Sequence, residues 1–157
     1  MAVVKPVVFG PDGALRNIQA GDTLAGGSET GIINLTAAAA LIAGNAVYSS
    51  AAGAVNKAQA NAAGTRTVIG LTTGAIASAA SGPVQVNGVL SLSTAQWDAV
   101  CGTTGGLTPN TPYFNSPTTA GLLTATVPTT TGQYSTQVGI ATSTTEMIID
   151  PRSPFLI

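Results

Sequence analysis

The sequence has no histidine, and Cys101 is its only cysteine. The first absence removes the commonest general base at neutral pH, the usual Ser-His and Cys-His nucleophile pairs and the commonest transition-metal ligand. The second excludes an intrachain disulfide and leaves Cys101 to be read as a small buried hydrophobe. Charged residues make up 7% of the chain, against about 25% in an average soluble domain. The five cations, Lys5, Arg16, Lys57, Arg66 and Arg152, are scattered and the formal net charge is −1. No basic stripe therefore exists to release counterions from nucleic acid or to hold an anionic membrane, and neither is expected as a partner. No apolar run approaches the roughly 18 residues of a membrane-spanning helix. The opening MAVVKPVVFGPDG lacks the apolar core of a signal peptide, so export by that route is not expected. Aromatic residues are only 4% of the chain, while Ala, Thr and Gly contribute 26, 23 and 19 of its 157 residues. A core built from such small side chains is thin, which favours help from neighbouring chains.

What is present points to β structure. Leu, Ile, Val and Phe number 37 of 157 residues, enough for one folded domain. Residues 1–31 differ from the rest, because residues 1–30 hold five of the eleven charges. Within them VVKPVVF (3–9) is β-branched but interrupted by Pro6, which suits an edge strand or an extended arm. PDG (11–13) reads as a turn and residues 14–19 as a second strand, followed by a Gly-rich linker ending in GGSETG. Residues 32–150 then form the β-domain, and residues 151–157 a short tail. Short strands are expected at 32–35, 46–49, 54–58, 66–73, 84–86, 89–92, 112–115, 122–126, 136–142 and 146–149, most of them bounded by Gly, Pro, Asn or Ser.

VQVNGVLSL (84–92) predicts a two-residue hairpin turning at Asn87 and Gly88. STAQWDAV (93–100) predicts one or two helical turns, with Ser93 or Thr94 as N-cap, Gly102 at the end, and Trp97 and Val100 on one face as a lid. TAAAALIA (36–43) has helical propensity but is too short to be helical alone, and its place in an internal repeat favours extended or turn structure.

That repeat aligns LIAGNAVYSS (41–50) with LTPNTPYFNS (107–116), GAVNKA (53–58) with GLLTAT (121–126), and RTVIGLTTG (66–74) with STQVGIATS (135–143). The loops QANAAGT (59–65) and VPTTTGQY (127–134) are the variable part. Two copies, at about 41–74 and 107–143, are too few for a solenoid. The expected fold is mainly β: a small β-barrel or β-sandwich with two repeated halves, plus an extended N-terminal arm and at most one or two short helical turns. Gly70 and Gly139, inside matched strands, should mark bulges or corners, and Tyr48 and Phe114 sit at matched positions that read as core.

The order of LTPNTPYFNSPTTAGLLTATVPTTTGQYSTQVGIATSTTEMIID, preceded by GPVQVNGVLSLSTAQWDAV, resembles the repeat-bearing β-domain of head decoration, or capsid cement, proteins and head-fibre proteins of tailed bacteriophages. The resemblance covers roughly residues 41–150 and is carried by pattern rather than by one motif, and MAVVKPVVF is similar to the N-termini of such proteins. It implies a non-enzymatic virion protein that binds the outer surface of the major capsid protein lattice and stabilises the capsid. It also implies assembly with itself, a homotrimer being favoured and a homodimer allowed, and localisation on the virion after assembly in the host cytoplasm. The alternative function is a head-fibre or tail-tip adhesin that recognises a host surface receptor.

The residues offer little chemistry to set against this. The acidic groups are Asp12, Asp22, Glu29, Asp98, Glu146 and Asp150. Asp98 beside Trp97, with Glu146 or Asp150 as partner, is the most tempting pair for a glycosidase, and each has a plain reading, Asp98 as a solvated or capping residue at a short helix and the other two as the polar ends of a strand. No Walker-type loop and no Asp-x-Asp calcium spacing occur, so no cofactor and no metal is expected. The candidate binding elements are the arm, through Val3, Val4, Pro6, Val7, Val8 and Phe9, and the apolar tip Phe155, Leu156 and Ile157, which either folds back or meets a partner subunit.

Overall fold

The computed structural model describes residues 31–157 and, before them, the backbone of two short strands. Those are β1 (Val7–Phe9) and β2 (Leu15–Asn17), paired antiparallel with Val8 opposite Arg16. Two five-stranded units follow. The first contains β3 (Ile32–Ala37), β4 (Ala46–Ala51), β5 (Ala54–Lys57), β6 (Gly70–Thr72) and β7 (Ser81–Gln85). The second contains β8 (Gly88–Ser91), helix α1 (Thr94–Cys101), β9 (Pro112–Asn115), β10 (Leu123–Thr124), β12 (Gln137–Ala141) and β13 (Glu146–Ile149). A small ribbon pairs β11 (Tyr134–Ser135) with β14 (Phe155–Leu156).

The fold is mainly β with two repeated halves, one of them a small closed barrel, and the duplication reaches further than the sequence alignment. The first unit closes as a barrel in the order β3-β5-β4-β6-β7, and the second is a sheet ordered β10-β9-β12-β13-β8. Matching β3 to β8, β4 to β9, β5 to β10, β6 to β12 and β7 to β13 reproduces every shared antiparallel neighbour. Registers agree as well: Val47 faces Gly70 as Tyr113 faces Gly139, and Tyr48 faces Asn56 as Phe114 faces Thr124. Turn geometry repeats too. Gly44 has φ 82° and its aligned residue Asn110 has φ 59°, asparagine being the residue other than glycine that best tolerates the left-handed region. Each donates its N–H to the matched strand, Gly44 to the Thr72 carbonyl and Asn110 to that of Ala141, both at 2.8 Å.

Side-chain size explains why one unit closes and the other does not. The barrel is filled by Ala37, Leu41, Val47, Val55, Ile76 and Val84. At three of these positions the second unit carries larger residues: Tyr113 for Val47, Leu123 for Val55 and Met147 for Val84. In the first unit β3 runs beside β5 in parallel, Ala37 facing Val55. In the second, the wider interior is completed by α1, whose Trp97 and Val100 are fully buried in the larger core cluster.

The chain after β8 turns helical where the chain after β3 does not, and the local sequence gives the reason. Ser93 accepts from the Gln96 N–H, and the Gln96 side chain accepts from the Ser93 N–H at 2.9 Å, forming a capping box closed at the far end by Gly102 in the left-handed region. The register matches Ser93 to Thr36 and Gln96 to Ala39, and alanine has no oxygen with which to close such a box. Residues 36–43 accordingly stay in strand and turn, as expected from the repeat.

One local expectation fails. The Asn87-Gly88 pair does not close a hairpin: β7 pairs with β3 and β6, whereas β8 pairs with β13. Residues 86–87 instead carry the chain from one unit into the next. Gly88 has φ 85°, but Asn87 does not enter the left-handed region that a type I′ turn requires. Three neighbouring strands, β3 and β6 beside β7 and β13 beside β8, took the pairing edges that a hairpin needs, so tertiary pairing decided the outcome.

Gly70 and Gly139 do occupy special places. A Cβ on Gly70 would lie 2.3 Å from the Gln85 carbonyl oxygen, and one on Gly139 would lie 2.2 Å from that of Ile148. Both glycines let two strands approach where a side chain cannot fit, and at Gly139 the ladder also shifts register. The expected strand at 66–73 is correspondingly shorter, Gly70–Thr72.

The variable loops turn out to hold the units together. Ala60 donates to the Ser116 carbonyl at 3.0 Å and Tyr134 donates to that of Ala60 at 2.8 Å. The Arg66 guanidinium lies 4.3 Å from the centre of the Tyr134 ring. Across the same boundary Gly121 accepts from Ala46 and donates to Ala58, while the Asn45 amide also bonds its carbonyl.

Candidate interaction surfaces

Two sheet faces that correspond by the duplication have opposite fates. On the barrel, Ala46, Leu71, Gln85 and Ile32 form a row of neighbours across β4, β6, β7 and β3. Ala46 and Leu71 are wholly buried in the cluster shared with the second unit, and Gln85 is buried too. The matching row on the second unit is Pro112, Ile140, Ile148 and Val89, again direct neighbours across four strands. Here Ile140, Ile148 and Val89 are 42%, 45% and 53% exposed. The exchange of Gln85 for Ile148 runs against burial: the polar residue is inside and the apolar one outside. Sequence reasoning missed this row. The alternation of β12 and β13 was visible, but which of its two faces would remain open was not.

The expected tail residues lie at another surface. Phe155 and Leu156 pair by backbone with Ser135 and Tyr134, so the tail does fold back, yet their side chains are 70% and 55% exposed. Ile157 donates to the Gln133 carbonyl at 2.9 Å and accepts from Gly132 at 3.1 Å. Of the expected arm residues, Val3, Val4 and Pro6 lie outside the described residues, and Val7, Val8 and Phe9 form β1, hydrogen-bonded to β2.

Two of the acidic groups singled out in the sequence, Asp98 and Asp150, are engaged in structure, while Asp12, Asp22 and Glu29 lie outside the described residues. Asp98 accepts from the Gly106 N–H at 2.8 Å, the Gly105 N–H at 3.0 Å and the Thr103 hydroxyl at 3.0 Å, clamping the loop after α1. The Gly106 bond chiefly, with those from Gly105 and Thr103 outweighing partial desolvation, holds its carboxyl below the ordinary range. A carboxyl lowered on folding contributes stability above its unfolded value that is lost as pH falls through the folded value. The expected result is a melting temperature that drops as pH falls below about 4, with a shallower drop in Asp98→Asn. Equal slopes in thermal melts of the two proteins would refute the clamp. Burial, and then the Asp98 charge, push the Cys101 thiol up to about 12, far from a thiolate at neutral pH. Asp150 pairs with Arg152 at 2.7 Å on the surface. Among the described residues no group of three or more His, Cys, Asp or Glu side chains converges as a metal site. An open apolar cleft of about 360 Å3 lies between α1 and the first unit, lined by Ile42, Ala43, Ala75, Ala95, Gln96 and Ala99. No protein-family model, no curated protein and no solved structure matches the chain.

Proposed function

We propose that this chain is a virion structural protein that decorates a tailed-phage capsid and stabilises it by binding the outer surface of the major capsid protein lattice. The observation that carries this reading is a charge-poor, duplicated β-body with an open apolar sheet face, in a chain whose pattern resembles that of head decoration and head-fibre proteins. Adhesion needs surfaces of this kind. A protein that binds only the assembled lattice raises the free energy needed to pull its subunits apart, as any ligand selective for one state does. Contacts made through backbone ladders and apolar packing are also only weakly sensitive to salt.

In this reading the arm, Val3, Val4, Pro6, Val7, Val8 and Phe9, engages the capsid protein by strand addition, and the body assembles with itself, a homotrimer favoured and a homodimer allowed. The protein acts on the capsid surface after assembly in the host cytoplasm and needs neither a cofactor nor nucleic acid. Deleting residues 1–10 tests the arm. Affinity for capsids is expected to fall at least about 100-fold, the loss of two or more strong anchoring side chains, while the far-UV circular dichroism of the β-domain stays unchanged. Full binding by the truncated protein, measured by co-sedimentation with capsids, would sink the arm as the attachment element.

A further inference from the structure

We propose that the joint between the two units is a binding site for water, enclosed by Arg66, Asn115 and Thr136, in which a bound water accepts from the Arg66 Nε–H and donates to the Asn115 amide oxygen. The unmet polar groups of the fold fall in one place. Among the described residues, three buried side-chain nitrogen or oxygen atoms have no hydrogen-bond partner: Arg66 Nε, Asn115 Nδ2 and Asn115 Oδ1. Both residues bond to Thr136. The Asn115 N–H donates to the Thr136 carbonyl at 2.9 Å, and the Thr136 hydroxyl donates to the Arg66 carbonyl at 3.1 Å. Because Gln137 faces Phe114, Thr136 and Asn115 are the next pair and share one face of the sheet. Both are wholly buried. The Arg66 guanidinium is fixed in turn by the Tyr134 ring, against which it stacks.

The duplication shows that the joint makes the site. The alignment matches Asn115 to Ser49 and Thr136 to Thr67. That first-unit pair is exposed, and the Ser49 hydroxyl bonds only the nearby Ala51 carbonyl. In the second unit the corresponding pair is covered by the loop of the first, since Ala60 donates to the neighbouring Ser116 carbonyl and Arg66 accepts from Thr136. Polar side chains that meet solvent in one unit are thus enclosed in the other. An unmet amide in a dry interior costs a large share of what a small domain has to spare, so the enclosure calls for an occupant. Its chemistry follows from the groups: Arg66 Nε and Asn115 Nδ2 only donate, and Asn115 Oδ1 only accepts. A cation would be repelled by the guanidinium, and an anion would face the amide oxygen. Water accepts from one group and donates to the next, and it is held where two or more polar partners converge. It thereby ties the loop of the barrel to β9. The site does not depend on the capsid reading, so the two can fail separately.

Water-to-protein Overhauser spectra of the isotope-labelled full chain provide the test. Transfer from water to the Asn115 amide and the Arg66 Nε–H should carry the sign of a residence time longer than about a nanosecond. The amide of Asn61, which is exposed, should carry the sign of fast hydration. Thr136→Val and Tyr134→Phe remove hydroxyls that could relay exchange, and in both the long-lived transfer to Asn115 should persist. Asn115→Leu should abolish the transfer to the Arg66 Nε–H and lower the urea midpoint, because that donor is then left unmet. Absence of long-lived transfer in the wild type, or its loss in Thr136→Val or Tyr134→Phe with unchanged circular dichroism, would overturn the proposal. So would a raised midpoint in Asn115→Leu, since an apolar side chain gains there only if no water meets the amide.

Discussion

Gly139→Ala is expected to destabilise the protein by at least about 3 kcal/mol, the upper range for forcing atoms into a packed interior. The added Cβ would lie 2.2 Å from the Ile148 carbonyl oxygen and 3.0 Å from the Met147 side chain. The first neighbour is backbone in a strand paired on both sides, so it cannot move aside without breaking the ladder to β8 or to β12. Gly70→Ala should behave alike, since its Cβ would meet the Gln85 carbonyl at 2.3 Å. The comparison that isolates the cause is Gly74→Ala. Nothing lies within 4 Å of that position and its φ is not positive, so its effect should stay within about 0.5 kcal/mol. Urea unfolding midpoints of the three variants provide the measurement. A cost at Gly139 no larger than at Gly74 would mean that the close approach of β12 and β13 is not what the glycine serves.

Trp97→Ala should cost about 3–5 kcal/mol, the range for emptying a large aromatic site in a core, and a domain of this size is stable by only about 5–15 kcal/mol. Trp97 is wholly buried, and its indole N–H donates to the Thr145 carbonyl at 2.9 Å just before β13. Its loss therefore empties the region that α1 fills in the open second unit and removes the bond between helix and sheet. Trp97→Phe keeps most of the volume and loses the donor, so about 1–2 kcal/mol is expected. Because Trp97 is the only tryptophan, unfolding of the variants has to be followed by circular dichroism. A loss below about 1 kcal/mol in Trp97→Ala would show that the helix is an ornament on a sheet that stands without it.

Much of this fold was legible because its signals are local or repeat themselves. The matched pair Gly44 and Asn110 share a left-handed turn, and asparagine at one site where glycine stands at the other is what a conserved φ requires. The capping box at Ser93 and Gln96 is written in four residues, and the helix it opens formed where expected. Asp98 is neither a freely solvated nor a capping residue: from inside the helix its carboxylate accepts from Thr103, Gly105 and Gly106 in the loop that follows. The hairpin at Asn87 and Gly88 failed although its local signal was strong, because the pairing partners of β7 and β8 lie tens of residues away. The open row was illegible for a related reason: Ile140 and Ile148 belong to one stripe of an alternating pattern, and period two does not say which stripe faces the partner unit.

The sequence by itself determined the β class, the duplication, the helix with its caps and the poverty of ionisable chemistry, since each follows from short-range propensity, self-alignment or composition. Only the tertiary structure decided that one unit closes and the other opens around Trp97, and that equivalent rows end up buried in one unit and bare in the other. Those outcomes depend on how the volumes of Val47 and Tyr113, Val55 and Leu123, or Val84 and Met147 fill a shared interior. Packing of that kind is a property of many residues at once and leaves no mark at any single position.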